Sequence, residues 1–284
     1  AMTHPILVPV DGSPVAEYAI PWALALSRGA PLHLVHVHVP PTPVAVEGIV
    51  VADPTLDRSL RDQEAEYLAG LTARVRAAAP QVAVESRCVD TDDPLGDAIA
   101  HEAAASGAAY VVMCTHGRGA FGRFWLGSVT DDTVRASPAP VLVIHPGKEP
   151  ADFAAVPPVA HVLIPLDGSA LAEQVVDRAV EFARVFLANV TLLLVQEPGS
   201  APDGRSVDDV SSRLADAGVP VSTVVRQGAP AKAIVEFATS HPGTAVALAT
   251  HGRTGFGWLL NGSVADEVVH HATGPVLVYH PQTA

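Results

Sequence analysis

The chain has 284 residues, 49% hydrophobic but only 5% aromatic, and its 30 acidic residues against 17 basic ones leave a net charge of −13. That charge argues against a general nucleic-acid or anionic-membrane binder, which needs a basic surface. No apolar run approaches the roughly 20 residues that span a bilayer, and Cys88 and Cys114 form no close-spaced metal or redox motif. The first half opens on an apolar strand, Ile6–Val10, then Asp-Gly-Ser and a helical stretch from Pro14 to about Ser27 with Ser13 as N-cap. A second strand, Leu32–Val39, leads to a proline-rich loop, PPTPVAVEG, and a long charged helix at about Thr55–Ala79. Strand Val82–Val89, helix Leu95–Ser106, strand Ala109–Cys114, helix Val129–Ser137 and strand Val141–Ile144 complete this half.

The second half repeats the order, with strands at His161–Leu166, Val190–Val195, Val219–Val225, Ala245–Ala249 and Val276–Tyr279. Its second helix, about Ser206–Ala217, is the shorter one. The repetition is explicit: THGRGAFGRFWLGS at 115–128 returns as THGRTGFGWLLNGS at 250–263, and ILVPVDGS at 6–13 returns as VLIPLDGS at 162–169. This is a duplicated domain, with boundaries expected at 1–147, a linker at 148–158, and 159–284. Each half is long enough for an independent core. Alternating strands and helices predict two tandem open, mostly parallel five-stranded α/β sheets of Rossmann-like form, with helices on both faces.

In such sheets ligands bind beyond the carboxyl ends of the strands. Gly117 and Gly252 allow close backbone approach there. Gly127-Ser128 and Gly262-Ser263 stand directly before a helix, whose free N–H groups and dipole favour a phosphate. Arg118 and Arg253 would offset phosphate charge, and Arg123 in the first loop, where the second has Trp258, predicts tighter binding in the first half. A capping box, Ser128 with Asp131 and Ser263 with Asp266, would explain the serines without any ligand. Asp11 and Asp167, at the end of each first strand, read either as acceptors for a ligand or as turn residues.

These residues resemble the universal stress protein family in its tandem form, over nearly the whole chain. The family pattern G-x2-G-x9-G-[ST] is met by Cys114-Thr115-His116-Gly117, nine residues, then Gly127-Ser128-Val129-Thr130. Its second occurrence is Ala249-Thr250-His251-Gly252, nine residues, then Gly262-Ser263-Val264-Ala265. The first glycine of the pattern is replaced in both copies, by Cys114 and Ala249, and a β-carbon there would crowd a ribose. The opening strands, with Pro9, Asp11, Pro165 and Asp167, also fit. The resemblance implies an adenine nucleotide, ATP with Mg or Mn on its phosphates. Asp11, Asp167 and the main chain of Val37 and Val195 would hold adenine, Met113 and Leu248 would pack on base or ribose, and the glycine loops would hold the triphosphate. It also implies that PVLVI and PVLVY pair the two domains within one chain, with further homodimerisation open.

The expected function is an ATP-binding regulator of the stress response with little or slow hydrolysis, since no general base stands beside the loop except His116 or His251. The alternatives are a nucleotide-free interaction module and a slow ATPase or ATP-dependent transferase. No catalytic residue or resident metal site is assigned. His36 and His38 share one side of their strand, without an acid or cysteine at ligand spacing. His270 and His271 read as partners of a helix C-terminus. With no secretory signal visible, a cytoplasmic protein with reduced thiols is expected.

Overall fold

The computed structural model describes residues 4–41, 44–46, 49–51, 54–115, 127–196, 205–250 and 263–281. The first half contains β1 (Ile6–Pro9), α1 (Ala19–Ser27), β2 (Leu32–His38), β3 (Val44–Val46), β4 (Ile49–Val51) and α2 (Pro54–Ala78). It continues with β5 (Val84–Asp90), α3 (Leu95–Ser106), β6 (Tyr110–Cys114), α4 (Ser128–Ala136) and β7 (Val141–Ile144). The second half contains β8 (His161–Leu166), α5 (Ala170–Glu173), α6 (Val176–Phe186), β9 (Asn189–Gln196) and α7 (Arg205–Asp216). It ends with β10 (Val221–Gln227), α8 (Pro230–Ser240), β11 (Thr244–Ala249), α9 (Ser263–His271) and β12 (Val276–Tyr279).

Each half forms a parallel sheet of five strands among the described residues, in the order β5-β2-β1-β6-β7 and β10-β9-β8-β11-β12. The two sheets join edge to edge. β7 and β12 run antiparallel, with Val143 opposite Val276 and Val141 opposite Val278, which makes one ten-stranded sheet. Outside the ladder, His145 Nε2 lies 3.1 Å from the Val269 carbonyl of α9.

Strand alternation sends successive side chains to opposite faces, and both faces are buried. Ile6 and Val8 enter one apolar layer with Ile20, Leu71, Ile164, Phe182 and Leu277. Leu7 enters the other with Ile99, Val134, Leu163, Ile234 and Val278. Each layer draws on both halves. α1 also meets α6 across the seam, with Trp22 and Phe186 ring centroids 5.9 Å apart.

Three local expectations are corrected. Pro14 does not begin a helix: residues 16–18 form a 3-10 turn, and α1 starts at Ala19. Ser13 is tied to the turn instead, donating to Asp11 Oδ1 at 2.5 Å and accepting from Ala16 N at 3.3 Å. The proline-rich segment carries a short antiparallel hairpin, β3 with β4. Ser128 is not a side-chain cap, because Gly127 is the N-cap residue of α4 and no side chain bonds there. The end of α9 does follow the expectation for its histidines: His270 Nδ1 and His271 Nδ1 lie 2.6 and 2.8 Å from the carbonyls of Asp266 and Glu267.

Candidate functional site

At the carboxyl ends of β1, β2 and β6 lies a cleft of about 770 Å³. Its lining includes Pro9, Asp11, Val37, Met113, Cys114, Gly127, Ser128, Val129 and Thr130. Sequence reasoning named all nine, from four separate segments. His116, Gly117, Arg118 and Arg123 lie outside the described residues, as do His251, Gly252, Arg253, Trp258 and Gly262. In the second half, Pro165 and Asp167 close β8, Val195 stands near the end of β9, Leu248 and Ala249 end β11, and Ser263 and Val264 begin α9.

One wall is bare main chain. The β1–β2 register ends at Pro9 opposite Val35, and Val10 N donates to the Val35 carbonyl at 2.8 Å. Strand alternation turns the N–H and C=O of Val37 to that same side, where β1 has already ended. Val37 thus presents an adjacent donor and acceptor to the cleft.

Asp11 serves the turn and the cleft together. Its Oδ1 accepts from Ser13 N at 2.9 Å and from Ser13 Oγ, while Oδ2 has no partner among the described residues. Gly12 has φ of 81° and its counterpart Gly168 has 83°, a left-handed conformation that glycine adopts without strain. Asp167 Oδ1 likewise accepts from Ser169 N at 2.9 Å.

The opposite end of the cleft is the start of α4. Thr130 Oγ1 donates to the Cys114 carbonyl at 3.3 Å, and Gly127 N donates to the Thr115 carbonyl at 3.1 Å. These bonds hold the first turn of α4 against the end of β6. A β-carbon on Gly127 would come within 3.2 Å of the Thr115 carbonyl oxygen, so the approach is already close. The first N–H groups of α4, with the positive end of its dipole, stand beside the cleft.

The feared crowding at Cys114 is partly resolved. Its side chain is 8% exposed and belongs to the core layer under α1. Burial pushes the thiol up to about 12, against a lowering contact with the main chain of Ala19. Cys88 is exposed, and its pKa is raised by partial burial and by Glu64. In native protein at pH 8, a disulfide-exchange reagent is therefore expected to titrate one thiol, Cys88, and the second only after unfolding. Two thiols modified in the folded protein would contradict this placement.

Sequence reasoning missed one wall. Leu60, Gln63, Glu64 and Tyr67 of α2 line the cleft at i, i+3, i+4 and i+7 spacing, a single helical face. His36 joins them. Its Nε2 lies 3.5 Å from Glu64, and its Nδ1 is buried without a hydrogen-bond partner among the described residues. Behind this wall His38, 1% exposed, has Nδ1 2.8 Å from Glu64 Oε2 and Nε2 3.0 Å from Asp57 Oδ1. A carboxylate at each ring nitrogen calls for a proton on both. Burial opposes that charge, but the hydrogen bonds from Asp57 and Glu64 outweigh it, and the His38 pKa is raised. Arg61 closes the network on Asp57 at 2.8 Å and Asp90 at 2.6 Å. No group of three or more metal-ligating side chains is assembled for a metal among the described residues.

Among the described residues, the second half lacks the counterpart of this wall within its helix. α7 has 12 residues against 25 in α2. Its buried Val207, Val210 and Leu214 repeat the spacing of Leu68, Leu71 and Val75, so α7 matches the latter part of α2.

The family model described as the universal stress protein family matches residues 2–145 and again 158–280. A universal stress protein of Mycobacterium tuberculosis is 32% identical over 300 residues, covering 97% of this chain and 96% of its own. One of Mycolicibacterium smegmatis is 28% identical over 306 residues, covering 99% of each. Among solved structures, a universal stress protein from Archaeoglobus fulgidus superposes with a TM-score of 0.77 at 18% identity, covering 99% of this chain and 100% of that one. The chain belongs to the universal stress protein family and carries its domain twice.

Proposed function

We propose that the first-half cleft holds an adenine nucleotide, ATP with Mg or Mn on its phosphates, and that the chain acts as a nucleotide-responsive regulator. The observation that carries this reading is the convergence of three unlike groups on one 770 Å³ space. The Val37 main chain offers a paired donor and acceptor suited to an adenine edge. Asp11 Oδ2 is an acceptor suited to a ribose hydroxyl. The start of α4 supplies N–H donors for phosphate oxygens. The buried, unpartnered Nδ1 of His36 fits a cleft that is completed by a ligand. The metal would offset phosphate charge, which Asp11 and Glu64 would otherwise oppose.

Slow turnover is part of the same proposal. Among the described lining residues the carboxylates are Asp11 and Glu64. One oxygen of Asp11 is held by its turn, and Glu64 is bonded to His38. Neither is placed as a free base at the α4 end. The second half repeats Asp167, Val195 and the Gly262-Ser263 step, and we extend the proposal to it with a more open site. No helix of the described residues is long and apolar enough to cross a membrane.

Chromatography of nucleotide released from the denatured protein tests the reading. At least one ATP per chain is expected, and two if both halves bind. Asp11→Ala is expected to weaken ATP binding about tenfold, the loss of a hydrogen bond to a charged acceptor. No nucleotide on purification and no binding of added ATP with magnesium would favour the interaction-module reading instead.

A further inference from the structure

A second cleft, of about 800 Å³, lies at the opposite edge of the first half, by the amino ends of β1, β6 and β7. It is built from both halves. His4, Arg28 and Tyr110 come from the first, and Arg178, Glu181 and Arg184 come from α6 of the second. In a chain with 30 acidic and 17 basic residues, three arginines against one carboxylate is a local reversal of sign. Glu181 is 3.2 Å from Arg178, so that pair is close to neutral. Arg28 and Arg184 make no ion pair or hydrogen bond with the described residues, and their charge is left to the cleft.

The independent observation is Tyr110. Its side chain is 2% exposed, and its hydroxyl is buried with no hydrogen-bond partner among the described residues. A buried hydroxyl without a partner is a cost that a fold rarely keeps without use. Burial first, and Glu181 second, raise its pKa, while Arg178 acts the other way, so these two α6 side chains reach the hydroxyl. It is therefore a neutral donor at the foot of a basic cleft. Arg28 is the left-handed C-cap residue of α1, at φ of 41°, as Leu187 is of α6 at 55°. The remaining walls are apolar, from Ala103, Pro138 and Val185.

We propose that this cleft is a second ligand site, which takes a small organic phosphate monoester. Its phosphoryl oxygens meet Arg28, Arg184 and the Tyr110 hydroxyl, and its apolar body lies against the alanine and proline wall. The site bridges the two halves and stands apart from the glycine–serine loops.

Phenyl phosphate is the probe, titrated calorimetrically into the full chain with inorganic phosphate as comparator. Both arginines are exposed, so Arg28→Gln/Arg184→Gln keeps the fold. Binding at least tenfold weaker in that variant, with phenyl phosphate tighter than inorganic phosphate in the parent, supports the site. Equal isotherms in parent and variant, or no binding, overturn it. Equal affinity for the two probes overturns the apolar subsite. Tyr110→Phe gives a separate readout. Without ligand its Tm is expected to equal or exceed the parent's, since an unpaired hydroxyl is removed, while the rise in Tm with phenyl phosphate falls to less than half. An undiminished rise overturns the role of Tyr110.

Discussion

Replacing His38 with alanine is expected to destabilise the protein by about 2 kcal/mol, because two carboxylates lose the cation between them. Removing one partner of a fully buried pair costs about 3–5 kcal/mol, and the lower figure reflects the partial water access of Asp57 and Glu64. Their side chains are 29% and 16% exposed, against 1% for His38. The effect depends on pH with a definite sign. The folded pKa of His38 is raised, so its contribution is fully present below about pH 6.5, the unfolded value, and is lost as pH rises through the folded pKa. Below the carboxylate range, about pH 4, protonation of Asp57 and Glu64 removes the partners. Denaturant unfolding of parent and His38→Ala across pH 4–9 measures this. The difference should be largest in mildly acidic solution and shrink towards pH 9. A difference independent of pH would show that packing, not charge, is what His38 supplies. Because Glu64 also lines the cleft, the same variant is expected to bind ATP more weakly through the released negative charge.

Replacing Gly96 with alanine is expected to cost about 1–3 kcal/mol through overpacking. A β-carbon at Gly96 would collide with Cβ of Asp132 and approach Thr133 N at 2.8 Å and Val129 O at 2.9 Å. All three atoms belong to α4, so relief requires α4 to move away from α3. That motion would carry the first turn of α4 off the cleft and strain the Thr130–Cys114 bond. Gly96→Ala should therefore lower Tm and weaken ATP binding together, whereas an exposed substitution on α3 such as His101→Ala should change neither. The second half has Ala231 in the corresponding place, 3% exposed, so its helix pair already accommodates the methyl group. If Gly96→Ala bound ATP as the parent does, the position of α4 would not be what the phosphates require.

The strands were legible because burial on both faces leaves continuous apolar runs between turn signals. Val141–Ile144, His161–Leu166 and Val276–Tyr279 carry the bounds read from the sequence. The nine cleft residues were legible because they cluster at strand ends and at one helix start, which a parallel sheet brings together. The α2 wall was not. Leu60, Gln63, Glu64 and Tyr67 form a stripe with two polar members on a helix whose surface is mostly charged, and nothing local distinguishes it from a solvated face. His38 was passed over for a related reason: its partners Asp57 and Glu64 are 19 and 26 residues away in the chain. The misplaced start of α1 has a plainer cause. Ser13-Pro14 is a good helix opening, and Ser13 Oγ does accept from Ala16 N, but residues 16–18 make a 3-10 turn before α1 begins.

The antiparallel seam between β7 and β12 has an evolutionary corollary. When two identical chains meet through one shared strand, every substitution appears in both sites at once. Covalent linkage removes that tie and holds the partners together at any dilution. The second half can then shed the N-terminal part of a helix and keep Ala265 where the first has Thr130, while its β12 still completes the sheet for its neighbour. One copy is free to drift in what it binds, so long as it remains a good strand partner.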